Sequence, residues 1–216
     1  MNLIKTIGRV KIYNENGALL YKTGAAVNAD GSPHAYHPDP DKGLDYLGNA
    51  GRPGNWWGIY TDPKGVPVIQ TEEHPAPGYY ISTTSFVNPE HPVNHPFRYL
   101  DSETYPFTVV PGKFGEGWEL GDVGFCYNTH TEDNMFWTTG DIGPRDKIGE
   151  ISIYLAKCLK VNPDPKRGGI ASGIVYVVFP GSNKVYMPWT LMMETAIEKF
   201  NEWGGLSKLK PLISQI

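Results

Sequence analysis

Asp141 and Glu150 are the residues of this 216-residue chain whose types and spacing best suit chemistry: two carboxyls nine positions apart around a turn. One carboxylic acid can give a proton while a second carboxylate takes one, and positioned proton transfer of that kind is the commonest device of hydrolysis. The elements that would hold them are legible on either side. Upstream, Asn134-Met135-Phe136-Trp137-Thr138-Thr139 is aromatic and β-prone, and Gly140 with Gly143-Pro144 is expected to end that strand. Downstream, Ile151, Leu155, Cys158 and Leu159 recur at helical spacing, with Lys157 and Lys160 in the last turn and Pro163 beyond. The unit predicted is strand, glycine-rich turn, helix. Asp141 then stands at a strand end, where apolar neighbours favour its protonated form. Glu150 stands in a first helical turn, where free amides and the helix dipole favour its ionised form. Opposed environments separate an acid from a base. The plainer alternative is a turn aspartate and a helix-start glutamate, both ordinary occupants of such places.

Composition narrows the class. Hydrophobic residues make up 40%, with 25 Gly and 19 Pro, which describes a loop-rich, mostly β globular chain with one substantial core. A formal charge of −4 offers no basic patch for nucleic acid, and a mildly acidic surface suits a cationic polymer. No apolar run approaches the ~20 residues of a membrane span, and Met1 to Ile7 is too short and polar for a secretory signal. Cys126 and Cys158 fall in different elements and are free or bridged.

Along the chain, residues 9 to 13 alternate polar and apolar, turn through Asn14 to Gly17 and resume at Ala18 to Tyr21, a hairpin signal. Lys22 to Asn55 is dominated by turn formers, and a loop of that length in a compact domain is usually functional. Trp56 and Trp57 follow; aromatic faces stack on sugar rings, but Trp packs into cores more often, and core is the preferred reading. Val66 to Gln70, Gly78 to Phe86 and Phe107 to Val110 continue the strand series. His91 and His95 sit among Pro89, Pro92 and Pro96, which forbid a helix, so a solvated loop and no metal are expected. Gly121 to Tyr127 and Asn134 to Thr139 read as a strand pair, and Gly173 to Phe179 as a central barrel strand. Trp189, Met193, Ala196, Phe200 and Trp203 mark an amphipathic helix ended by Gly204-Gly205, the start of a helical extension over about 188–216.

Five blocks in order are also familiar: Ala29 to Pro38, Gly43 to Gly51, Pro75 to Thr84, Tyr99 to Pro106, and Asp141 to Ser152 read with Lys166 to Gly181. Together, over about 27–182, they resemble the fungal-type chitosanases of glycoside hydrolase family 75. That resemblance implies an endo-acting, inverting enzyme whose essential Asp and Glu fall on Asp141 and Glu150. It also implies cleft positions for Asp30, His34 and Tyr36, and for Asp101 as a partner of a substrate amine; the competing readings are a local turn whose Asp caps backbone amides for the first three and a strand-end acid pairing a local Arg or Lys for Asp101. The turn at Asp141 is similar to the Asp-x-Gly-Gly loop of double-psi β-barrel proteins that cut peptidoglycan or cellulose.

The expectation is therefore one catalytic domain over 1–216, mainly β (α+β), with a six-stranded double-psi β-barrel core and added helices. It hydrolyses chitosan without cofactor or metal, acts as a monomer, is exported, and binds neither nucleic acid nor membrane. Two alternatives stay open: a peptidoglycan-cleaving muramidase or lytic transglycosylase in which Asp141 works alone, and a wall-binding module without turnover.

Overall fold

The hairpin expected over residues 9 to 21 forms, and a barrel grows from its second strand. The computed structural model describes all 216 residues. In chain order the elements are strands β1 (Asn2–Ile7), β2 (Val10–Glu15), β3 (Ala18–Asn28), the short pair β4 (Gly51–Arg52) and β5 (Asn55–Trp56), then β6 (Phe107–Pro111), β7 (Val123–Asn128), β8 (Asn134–Gly143) and β9 (Glu150–Ser152). Helix α1 (Ile153–Cys158), strand β10 (Ile170–Phe179) and helices α2 (Trp189–Trp203) and α3 (Gly205–Leu212) complete the chain. The β2–β3 turn is carried by Asn16 and Gly17, both at positive φ (51° and 86°), as a tight hairpin requires.

Six strands close on themselves in the order β3-β10-β7-β8-β6-β9, with β9 returning to β3. Closure removes the free edges that an open sheet must protect. Four of the six pairings are antiparallel; β3 with β9 and β6 with β8 are parallel. Alternate residues point to opposite faces of each strand. Tyr21, Cys126, Trp137 and Tyr176 fall in one buried cluster with Leu155 of α1. Leu20, Phe125 and Val177 fall in another with Met192, Phe200 and Trp203 of α2. The fifteen-residue α2 is too long to lie inside a six-stranded barrel, so the set it packs on is the outer face, and the first set faces the interior with the short α1 against it. The rings of Phe125 and Phe200 stack there at 4.1 Å.

Several expectations are corrected. Asn2–Ile7, too polar to stand out, is a strand that pairs with β2. Val66 to Gln70 and Gly78 to Phe86 are not strands; Ile59 with Ser82, Thr61 with Pro67 and Ile69 with Tyr80 make only isolated bridges. Gly140 does not interrupt β8, which runs on to Gly143 and ends there, at the expected Gly143-Pro144. At Gly140 an added Cβ would lie 2.7 Å from Phe107, so the glycine admits a packed ring and does not break the strand. The helix begins later than its spacing suggested, at Ile153, because the Ser152 hydroxyl caps it by accepting from Leu155 N (3.2 Å). Both cysteines are free.

Candidate active site

Parallel pairing brings the two central carboxyls together. Asp141 in β8 pairs with Val109 of β6, and Glu150 in β9 with Ala26 of β3, while β6 and β9 are themselves joined at Thr108 and Ile151. Both side chains line a cleft of about 440 Å³, which Asp30, Tyr36, Asp45 and Lys147 also line. Glu150 reaches over the end of β8: a Cβ at Gly143, two residues beyond Asp141, would stand 3.1 Å from Glu150 Oε2.

Asp141 is buried, 8% exposed. Its Oδ1 accepts three hydrogen bonds, from Ser85 N (2.9 Å), Ser85 Oγ (2.5 Å) and Ile142 N (2.9 Å). The other oxygen, Oδ2, takes none from the protein. Burial raises the carboxyl above its ordinary value, and the donors on Oδ1 offset that only in part. The result is a carboxyl biased towards its acid form, with one oxygen anchored and one free to carry a proton.

Glu150 is half-buried and meets no protein donor. Burial raises it; the Lys147 charge pulls the other way, and Asp141 and Asp45 add to the rise. The expected first-turn position is not realised. Glu150 lies in a strand two residues ahead of the helix cap, so the dipole argument for its ionisation lapses and Lys147 is the group that favours the charge.

Asp30 completes the acidic floor. Its Oδ1 accepts from Tyr36 Oη (2.7 Å) and its Oδ2 from Asn28 Nδ2 (3.4 Å). Burial first, then the charge of Asp141, pushes Asp30 well above the usual carboxylate range. Two like charges so placed resist joint ionisation, and the pair titrates as a unit.

Two of the expected binding residues are not among those lining the cleft. Asp101 spends both oxygens on its own turn, accepting from Glu103 N (2.9 Å) and Thr104 Oγ1 (2.9 Å). His34 pairs with Glu103 at 2.8 Å and meets the edge of Tyr79. His91 stacks on His95, which packs against His74, yet no group of three or more ligating side chains converges as metal ligands would.

Conversely, the sequence reading passed over Asp45, Asn49 and Lys147, and Trp57 lines the cleft although a core position was expected. Asp45 and Asn49 lie inside one of the five blocks, which was the available signal; for Trp57 nothing in an aromatic run distinguishes a buried ring from an exposed one. No helix is long and apolar enough to cross a membrane. Comparison of the chain with family models and with curated proteins finds no match.

Proposed function

We propose that this protein is an endo-acting glycoside hydrolase that cleaves β-1,4 bonds in chitosan with inversion. The carrying observation is the pair of unlike carboxyls facing one cleft: Asp141, buried with Oδ2 free, and Glu150, half-buried with no donor of its own. In this reading the Asp141 proton passes to the glycosidic oxygen as the bond to the anomeric carbon breaks. Glu150 takes a proton from a water whose oxygen attacks that carbon from the opposite face. Among titratable residues lining the cleft, four carboxyls (Asp30, Asp45, Asp141 and Glu150) stand against the single amine of Lys147. Even with Asp30 and Asp141 holding protons, the lining is rich in acceptors for the ammonium groups of a cationic glycan. The ordered blocks that resemble family 75 support the same substrate. Two parallel pairings in an otherwise antiparallel closed barrel support the double-psi topology. The same reading makes the enzyme an exported monomer.

A second reading has one specific support. Burial raises Glu150 and no helix start offsets it, which favours a peptidoglycan-cleaving mechanism with Asp141 alone as acid and then base. Incubation with chitosan, chitin and peptidoglycan side by side decides between them. Chitosan should yield reducing ends of inverted configuration, with turnover reduced by about 10² or more in both Asp141→Asn and Glu150→Gln. An anhydro sugar from peptidoglycan, with Glu150→Gln still active, gives the second reading. Turnover of none of the three removes both.

A further inference from the structure

Trp57 is 60% exposed, while Trp118 and Trp137 are buried. It is nonetheless held still. Its Nε1 donates to Asn49 O (2.8 Å), its backbone N donates to Ala50 O (3.0 Å), and its carbonyl accepts from Thr83 Oγ1 (3.3 Å). Asn49 is fixed in turn. Its Nδ2 bridges both oxygens of Asp45 (2.9 and 3.0 Å), and Asp45, only 5% exposed, also accepts from Tyr46 N (2.7 Å). A carboxylate demands the amide nitrogen of Asn49, so the amide oxygen is turned away from it and finds no partner in the protein. Lys166 secures the same segment by donating to Gly43 O (2.7 Å) and Pro40 O (3.3 Å). Asp45, Asn49 and Trp57 all line the cleft that holds Asp141 and Glu150.

A pinned, open indole beside a solvent-facing amide acceptor matches one class of ligand. A pyranose offers an apolar C–H face to an aromatic ring and hydroxyl or ammonium donors at its edge. We propose that Trp57 and Asn49 form a pyranose-binding subsite on the loop wall of the cleft, with the Trp57 ring as platform, Asn49 Oδ1 as acceptor and Asp45 as the residue that positions Asn49. The subsite rests on the glycan-cleaving reading and serves chitosan and peptidoglycan alike. Rigidity of the platform before binding reduces the entropy lost on association.

The test is calorimetric titration of glucosamine hexamer and of a muropeptide fragment into the Glu150→Gln protein, alone and combined with Trp57→Ala, Trp57→Phe or Asn49→Ala. Loss of the ring should weaken binding of the preferred glycan about 10-fold, whereas Phe, which keeps an aromatic face, should cost less than about 3-fold. Asn49→Ala should weaken it by several-fold through one lost hydrogen bond. In the catalytically intact protein, Trp57→Ala should raise KM far more than it lowers kcat. Affinity within about twofold of the parent in both Trp57→Ala and Asn49→Ala overturns the subsite and leaves the proposed function standing. Absence of binding of either glycan to the parent, with no turnover by the native protein, overturns both.

Discussion

The two walls of the cleft are built by different physics. On the barrel wall, Asp141 and Glu150 belong to backbone ladders, opposite Val109 and Ala26, and a shift of one residue would turn either carboxyl to the other face. On the loop wall, the chain from Ala29 to Tyr105 carries Asp30, Asp45 and Trp57 with only short pairs and isolated bridges. Buried polar side chains hold it instead. Ser82 Oγ accepts from Gly31 N (2.9 Å) and donates to Gly58 O (3.1 Å). Gln70 Nε2 donates to Pro33 O (2.7 Å) while its Oε1 accepts from Ala76 N (3.2 Å). The contrast teaches a division: reacting groups sit where register forbids adjustment, and ligand-facing groups sit where single hydrogen bonds set the shape.

The contrast can be broken most forcefully at the barrel. Trp137 is fully buried in the interior cluster, and Trp137→Ala should destabilise the whole chain by about 3–5 kcal/mol. Both walls should then melt together in one thermal transition; a shift of less than about 1 kcal/mol would show that the interior does not carry the fold. The smaller break is on the loop wall. Gln70→Ala removes a 2% exposed amide that satisfies Pro33 O and Ala76 N, at a cost of about 1–3 kcal/mol. KM should rise more than kcat falls, since the barrel carboxyls keep their ladder. Equal loss in both constants would mean that the disturbance at Gln70 reaches Ser85, the loop-wall residue that anchors Asp141.

The smallest effect sharpens the comparison where the walls meet, at Asp30 and Asp141. Burial and the Asp141 charge raise Asp30 in the folded protein, so between the ordinary carboxylate pKa of about 3.9 and the raised folded value the folded state holds a proton that the unfolded chain has released. Folding stability from this group therefore falls as pH rises through that window. Asn cannot titrate, so Asp30→Asn should melt progressively above the native protein as pH rises past about 4, with the two converging below about pH 3. Melting curves separated by the same interval at every pH would show that Asp30 is not held protonated.

Legibility in the sequence follows the same division. The β2–β3 hairpin, the β7–β8 pair, β10 and α2 were readable because burial of one face leaves a period in the apolar residues. Short β9 was not: its three residues pair with β3 and Ile151 alone also with β6, and the apolar spacing of the helix behind it hid them. Met192, and not the expected Met193, fills the α2 interface, a one-residue error of the kind that helical periodicity allows. On the loop wall, Val66 to Gln70 looked like a strand because β-prone residues stand together, yet Gln70 is buried for its amide and Val66 and Ile69 are exposed. Asp30 and Tyr36 line the cleft where His34 and Asp101 do not, a distinction set by hydrogen-bond partners far apart in the chain.

The seam between β3 and β9 has a consequence for when the site comes into being. It joins an N-terminal strand to a segment in the last third of the chain, by parallel pairing, and contacts of such separation form slowly because the intervening chain must first be ordered. Glu150 rides on that seam. A nascent or refolding chain can form the local β7–β8 ladder, which stops at Thr138, before the parallel β6–β8 and β3–β9 pairings bring in Asp141 and Glu150. On the proposed function, hydrolytic competence is a late event in maturation, and recovery of turnover after dilution from denaturant would report closure of the barrel itself.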